Sequence, residues 1–214
     1  MALEIKAYRD QRIDWPRAGR HVLAQYDDES IIVYQAYRPS IGKFAAEHGH
    51  FGGPDFSFSR MSWIKPGFLW MMYRCGWASK PNQEVVLALR LRRSFFDDVL
   101  RQAVPSTYWP ERYDDEDAWK KAGARSDVRL QWDPDHGPTG APQQRRAIQL
   151  GLRRAMLEGF KGPALLGIED VTAFVRTQHA NVGTDALQTP HERVYPIADP
   201  GLRAALRLDD DEAA

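Results

Sequence analysis

DFSFSRMSWIKPGFLWMMYRCGWASK, residues 55–80, is the densest apolar stretch of the chain and the one on which its fold turns. It carries three of the seven Trp residues and the only Cys. Phe56 to Trp63 reads as a strand by alternation, with Phe56, Phe58, Arg60 and Ser62 on one face and Ser57, Ser59, Met61 and Trp63 on the other. Pro66 suits the first turn of a helix. In that helix Phe68, Leu69, Met72 and Cys75 form one stripe, and Trp70, Tyr73 and Trp77 form a second with Arg74 beside it. A helix apolar almost all round is a buried helix. Ser, Arg and Lys interleave with these large groups, so the stretch reads either as core alone or as a core element that also presents a polar site.

The residues before it supply a strand and a helix. Ile31 to Tyr37, IIVYQAY, clusters β-branched and aromatic residues over a strand's length, and Arg38-Pro39 ends it because proline cannot donate to a ladder. Ser40 can cap the helix IGKFAAEHG, whose Ile41, Phe44 and Ala45 share a face and whose Gly49 is a stop. Upstream, Met1 to Pro16 reads as an extended arm and Arg17 to Tyr26 as a short helix. Downstream, Glu84 to Arg92 is the clearest strand, followed by an amphipathic helix, FFDDVLRQAV. Residues 105–127 form a polar insertion, read as a surface excursion or lid. Val128 to Trp132 alternates as a strand and leads into the turn DPDHGP. Pro142 to Gly159 is expected as a helix with Ile148, Leu152, Ala155 and Met156 inward and Arg145, Arg146, Arg153 and Arg154 elsewhere. Asp170 to Gln178 is a helix or a strand, and residues 207–214 are an acidic, frayed tail.

Composition bounds the classes. A chain of 214 residues with 43% hydrophobic residues is of single-domain size on the usual scale of about 150 residues per domain. No repeat or low-complexity linker divides it, so one domain over 1–214 is expected, with its core over about 26–180. Strands and helices mix without regular βαβ spacing, which favours an α+β fold with a mixed or antiparallel sheet and flanking helices. Lys plus Arg and Asp plus Glu number 29 each, which argues against a dedicated nucleic-acid or anionic-membrane coat. One Cys excludes an internal disulfide and fits a reducing compartment. The N-terminus lacks a signal-peptide h-region, and no window approaches the roughly 18 apolar residues of a membrane helix. A cytoplasmic protein is expected.

Several residues carry chemistry. Arg60 and Lys65 flank the central stretch, and two cations so near a core suggest an anion site such as phosphate or a nucleic-acid end; the alternative is that their stems snorkel. Asp133, Asp135 and His136 form either a metal or acid–base cluster or simply a turn rich in turn formers. No ligand spacing for zinc is present, and no metal is expected. Walker, GxGxxG and GxSxG motifs are absent.

YQAYRPSIG, FSRMSWIKPGFLWMMYR, the WDPDH turn and RRAIQLGLR, spread over about Tyr26 to Gly159, resemble the bacterial and fungal family catalogued as domain of unknown function 4291, a label that implies no activity. A second resemblance is to ADP-ribosyltransferases of the arginine-serine-glutamate type. VYQAYR ending at Arg38 looks like their first motif, Phe56-Ser57-Phe58-Ser59 like the second and Gln83-Glu84-Val85-Val86-Leu87 like the third, with Asn82-Gln83-Glu84 standing where those enzymes carry Gln-x-Glu or Glu-x-Glu. The resemblance implies that Arg38 grips the NAD pyrophosphate, Ser57 or Ser59 orients the ribose, Glu84 is catalytic, and an aromatic such as Trp63, Trp70 or Tyr73 stacks on the nicotinamide. It also implies an ADP-ribosyltransferase-like cleft, with NAD as cofactor or substrate, cleaving or transferring at the ribose. The alternative is a non-catalytic module that binds a nucleotide or an RNA end through Arg60, Lys65 and the aromatics.

Overall fold

This computed structural model describes residues 3–210; the first two residues of the arm and the last four of the acidic tail lie outside them. In chain order the elements are β1 (Ile5–Ala7), α1 (Tyr8–Gln11), a 3-10 turn (Arg12–Asp14), β2 (Gly19–Arg20), β3 (Leu23–Ala24), β4 (Ser30–Tyr37), α2 (Pro39–His48), β5 (Ser62–Ile64), α3 (Phe68–Cys75), β6 (Val85–Arg92), α4 (Arg93–Gln102), β7 (Ala103–Pro105) and α5 (Glu116–Arg125). There follow β8 (Val128–His136), β9 (Pro142–Leu152), α6 (Arg154–Glu158), a second 3-10 turn (Gly159–Lys161), β10 (Leu165–Asp170), α7 (Thr172–Ala180), β11 (Gln188–Pro190), β12 (Arg193–Val194) and α8 (Pro200–Leu206). The fold is α+β.

β6 lies between β4 and β10 and runs antiparallel to both. Alternate residues of this sheet enter two separate apolar clusters. Ile31, Val33, Val85, Leu87, Leu89 and Leu91 face one, which α2 and α4 complete with Ile41, Ala45, Phe96, Val99 and Leu100. Ile32, Tyr34, Val86 and Ala88 face the other, which α3 and α7 complete with Phe68, Met72 and Val175. Burial on both faces explains why IIVY and VVLAL are unbroken apolar runs.

The second sheet is built on the β8–β9 hairpin. β7 adds parallel to β8. The outer edge of β9 is shared, with β2 pairing at Arg145 and Arg146 and β5 at Leu150 to Leu152. Residues 53–60, before β5, are turns and loop rather than strand. The expected strand over Phe56 to Trp63 is therefore confined to its end, because Phe56 packs on Tyr37, Phe51 and Phe58 instead of entering a ladder.

The expected helix over Pro142 to Gly159 is overturned: residues 142–152 are the strand β9, and only Arg154–Glu158 is helical. Residues 147–152 are buried without a break, and Ile148 and Leu152, four apart, share one face in a helix and in a strand alike. Pairing with β8 and the flatness of Gly151, where a Cβ would lie 2.5 Å from Met61 Sδ, decide for the strand. The expected helix over Arg17 to Tyr26 is likewise replaced by β2 and β3. The arm folds back as β1, pairing with β11. Asp133 to His136 remain in β8, and the chain reverses one step later, where Gly137 N donates to Ala141 O at 2.8 Å. Within the polar insertion Trp109 is buried, and the α5 start is capped by Asp115, which accepts from Ala118 N.

Candidate functional site

A cleft of about 560 Å³ opens at the end of the β4–β6 pair. Its walls come from the close of β4, the start of α2, the turn through Asp55 to Arg60, β5 with Lys65, and the Asn82–Gln83 loop. Arg38 takes the extended conformation that a following proline favours, at φ −60° and ψ 156°. Its carbonyl accepts from Ile41 N and Gly42 N, so the backbone starts α2 and leaves the guanidinium without a capping role. The last ladder pair is Tyr37–Val85, so Arg38 and Glu84 are the next residues out on neighbouring strands.

The floor is polar. Ser62 Oγ receives Gln35 Nε2 at 2.8 Å and shares a short hydrogen bond with the Tyr37 hydroxyl. Burial pushes the Tyr37 hydroxyl up to about 12, with the Ser62 bond acting the other way. Gln35 Oε1 is buried with no hydrogen-bond partner, which leaves an acceptor unsatisfied at a cost. Lys65 is 6% exposed. Its Nζ makes one long contact, 3.4 Å, to Trp63 O. Burial lowers its pKa to about 8, and Arg74 pushes in the same direction against Cys75 and Asp133.

Of the residues singled out in the sequence, Arg38, Ser57, Arg60, Trp63 and Lys65 line this cleft. Ser59 sits beside Ser57, their hydroxyls 2.8 Å apart on exposed turn. Glu84 stands just behind the lining residues Asn82 and Gln83: one oxygen accepts from Asn82 N at 2.9 Å, while Oε2 is buried and unpartnered. Tyr73 points elsewhere, 40% exposed and stacked on His136 at 3.5 Å, with Trp70 stacked on the same imidazole. Asp133 accepts from the Gln131 and Gln149 amides. Among the described residues no group of three or more His, Cys, Asp or Glu could hold a metal ion, and no helix is long and apolar enough to cross a membrane.

Sequence reasoning missed the floor. Gln35 in the middle of the apolar IIVYQAY was the available signal, since a polar residue in a buried strand asks for a partner. It also missed a second constellation. Arg145, expected on a solvated helix, is buried and donates Nε and Nη2 to Asp135 Oδ2 at 2.9 and 2.6 Å. Its Nη1 donates to Pro16 O at 2.6 Å. Nearby Glu192 accepts from Phe68 N, the first residue of α3, at 2.6 Å. Burial holds the Glu192 carboxyl well above the usual range, and Asp135 adds to this. Four segments distant in sequence build this cluster, at Pro16, Phe68, the β8–β9 hairpin and Glu192, so no local pattern marks it.

Residues 21–196 match the model of the family described as Domain of unknown function (DUF4291), and the chain belongs to that family. No curated protein matches it.

Proposed function

We propose, taking membership of a family without an assigned activity as the premise, that the cleft binds a nucleotide through its phosphates, with NAD the leading ligand. One observation carries this reading. Arg38, Arg60 and Lys65 line a single cleft beside Trp63, and Asp55 is the only carboxylate among the lining residues. None of the three cations has an ion-pair partner among the described residues. Unpaired guanidinium groups in a concavity favour phosphate, which they can hold in bidentate fashion. Trp63 offers a face for a base or nicotinamide, and Ser57 and Ser62 offer hydroxyls to a ribose.

The ADP-ribosyltransferase-like version of this reading adds a reaction at the ribose. The glycosidic bond breaks with its electron pair leaving on nicotinamide, positive charge develops on the sugar, and the Glu84 carboxylate stabilises it before water or another acceptor adds. The unpartnered Glu84 oxygen and the placement of Arg38 and Glu84 at one sheet end support it. Glu84 lies behind the lining rather than in it, and this favours as the second reading a non-catalytic nucleotide or RNA-end module.

Thermal-shift titration with NAD, ADP-ribose and short RNA, with nicotinamide release followed by chromatography, separates the two. A ligand that binds only the folded chain raises its melting temperature. Nicotinamide release that Glu84→Gln abolishes supports the reaction. Binding without release, weakened by salt, supports the module. No shift with any of these ligands ends both.

A further inference from the structure

Lys65 occupies a position that few lysines tolerate. Its backbone is held on both sides, since its N–H and C=O both bond to Tyr34, and Pro66 follows directly. The side chain is buried and lines the cleft. A lysine buried for structural reasons is normally paired with a carboxylate; Lys65 has no carboxylate within 4.0 Å among the described residues. Among the described residues its amine makes one hydrogen bond, the 3.4 Å contact to Trp63 O. The charges that act on it come from two elements. Arg74 of α3 repels its charged form, Cys75 of the same helix favours it, and Asp133 of β8 favours it from across the sheet. Both Asp133 oxygens already accept from glutamine amides. Arg38, Arg60 and Asp55 are the charged groups among the other cleft residues, with the Tyr37 hydroxyl on the floor.

A desolvated amine near another cation is the environment that turns lysine into a nucleophile, because the neutral form becomes accessible near neutral pH. Its surroundings supply what a covalent partner would need: two guanidinium groups for a phosphate and the Trp63 face for a ring. Ser62, Gln35 and Tyr37 are available as hydrogen-bonding groups for a hydroxyl.

We propose that Lys65 is a covalent carbonyl-binding site, whose amine condenses with the aldehyde or ketone of a phosphate-bearing small molecule held in the cleft. The nitrogen lone pair attacks the carbonyl carbon, and the carbonyl π pair moves to oxygen. The nitrogen gives up a proton and the oxygen is protonated to a hydroxyl; a second proton, taken from solvent, lets that hydroxyl leave as water as the nitrogen lone pair closes the C=N bond, and a protonated imine remains. Neither oxidant nor reductant is consumed. The phosphate part of this inference rests on the reading of the cleft given above; the imine part does not.

Pyridoxal 5′-phosphate with sodium cyanoborohydride tests it on the full chain, since reduction fixes any imine as a secondary amine that peptide mass spectrometry locates. Labelling is expected at Lys65 in preference to the exposed Lys43, Lys80, Lys120, Lys121 and Lys161, and on the order of tenfold slower with pyridoxal, which lacks the phosphate. The rate should rise as pH passes about 8. Lys65→Arg keeps the cation and should abolish the adduct, as should Lys65→Met, with circular dichroism confirming that both fold. Equal labelling by the two aldehydes would retain the imine site and sink the phosphate reading. Labelling spread over surface lysines with Lys65 untouched would overturn the proposal.

Discussion

Tyr34 and Lys65 exchange both backbone hydrogen bonds, Tyr34 N to Lys65 O at 2.7 Å and Lys65 N to Tyr34 O at 3.1 Å. Tyr34 belongs to the three-stranded sheet, and Lys65 is the residue directly after β5, which pairs with β9 of the other sheet. This one bridge sews the two sheets together beside the cleft. The backbone position of Lys65 in the cleft is therefore held by main-chain hydrogen bonds, independently of its side chain.

Arg60 is exposed and makes no ion pair among the described residues, so Arg60→Ala should leave stability unchanged. It should weaken ADP-ribose binding by about tenfold at low salt, with the difference shrinking as salt rises. Isothermal titration at two ionic strengths reads this, and an unchanged affinity would remove Arg60 from the site.

Gly42 of α2 lies against Val85 of β6, where a Cβ would come within 2.5 Å of Val85 Cγ1 and 2.6 Å of Val85 Cβ. Gly42→Ala should cost about 1–3 kcal/mol by forcing α2 away from the sheet, although alanine is the better helix former. Urea unfolding measures it, and wild-type stability would mean that the helix shifts freely.

Asp135 and Arg145 are both buried and joined by two hydrogen bonds. Asp135→Asn or Arg145→Met alone should destabilise by about 3–5 kcal/mol, since each strands a charge, and the double replacement should cost far less than the sum. A double-mutant cycle gives the coupling directly; simple additivity would show that the two charges do not act as a pair.

Burial, foremost, raises the Glu192 carboxyl well above its ordinary value of 4.5. The folded chain thus keeps this proton at pH values where the unfolded chain has lost it. The resulting stability is fully present below about 4.5 and declines as pH rises towards the raised folded value. Glu192→Gln should remove that decline and be more stable than wild type at neutral pH, because its amide oxygen can still accept from Phe68 N. Melting temperatures across pH 4 to 8, in roughly unit steps, test the sign.

Lys65 has the opposite slope. Its pKa falls from 10.5 to about 8, so the unfolded chain holds more protons between those values and stability rises with pH through that window. Lys65→Met should be more stable than wild type by about 3 kcal/mol near pH 7. The gap should close as pH approaches 10.5. A gap independent of pH would mean that the amine is solvated.

Much of the fold is legible along the chain. β4, α2, α3, β6 and α4 fall where alternation, helical stripes, Pro39 and Gly49 place them, because each is stabilised largely by its own pattern meeting a core. Gly49 shows this directly: it stops α2 in the left-handed conformation, at φ 70°, that its lack of a side chain makes cheap. The segment 142–152 was not legible, because Ile148 and Leu152, four residues apart, share a face in a helix and in a strand alike until β8 is beside them. Part of the cleft was likewise visible as Arg38, Ser57, Arg60, Trp63 and Lys65, whereas the roles of Gln35, Tyr37 and Ser62 depend on one another across the two sheets.

The sequence by itself determined an α+β chain with a buried aromatic helix after residues 55–65 and cations just before that helix, since composition and period suffice to say which segments must leave water. Only the tertiary structure decided that Lys65 lies buried with no carboxylate partner among the described residues, that Arg145 pairs with Asp135 instead of facing solvent, and that Glu84 stands behind the cleft. These are relations between segments distant in the chain. Their energies depend on which neighbours displace water, and no local pattern carries that information.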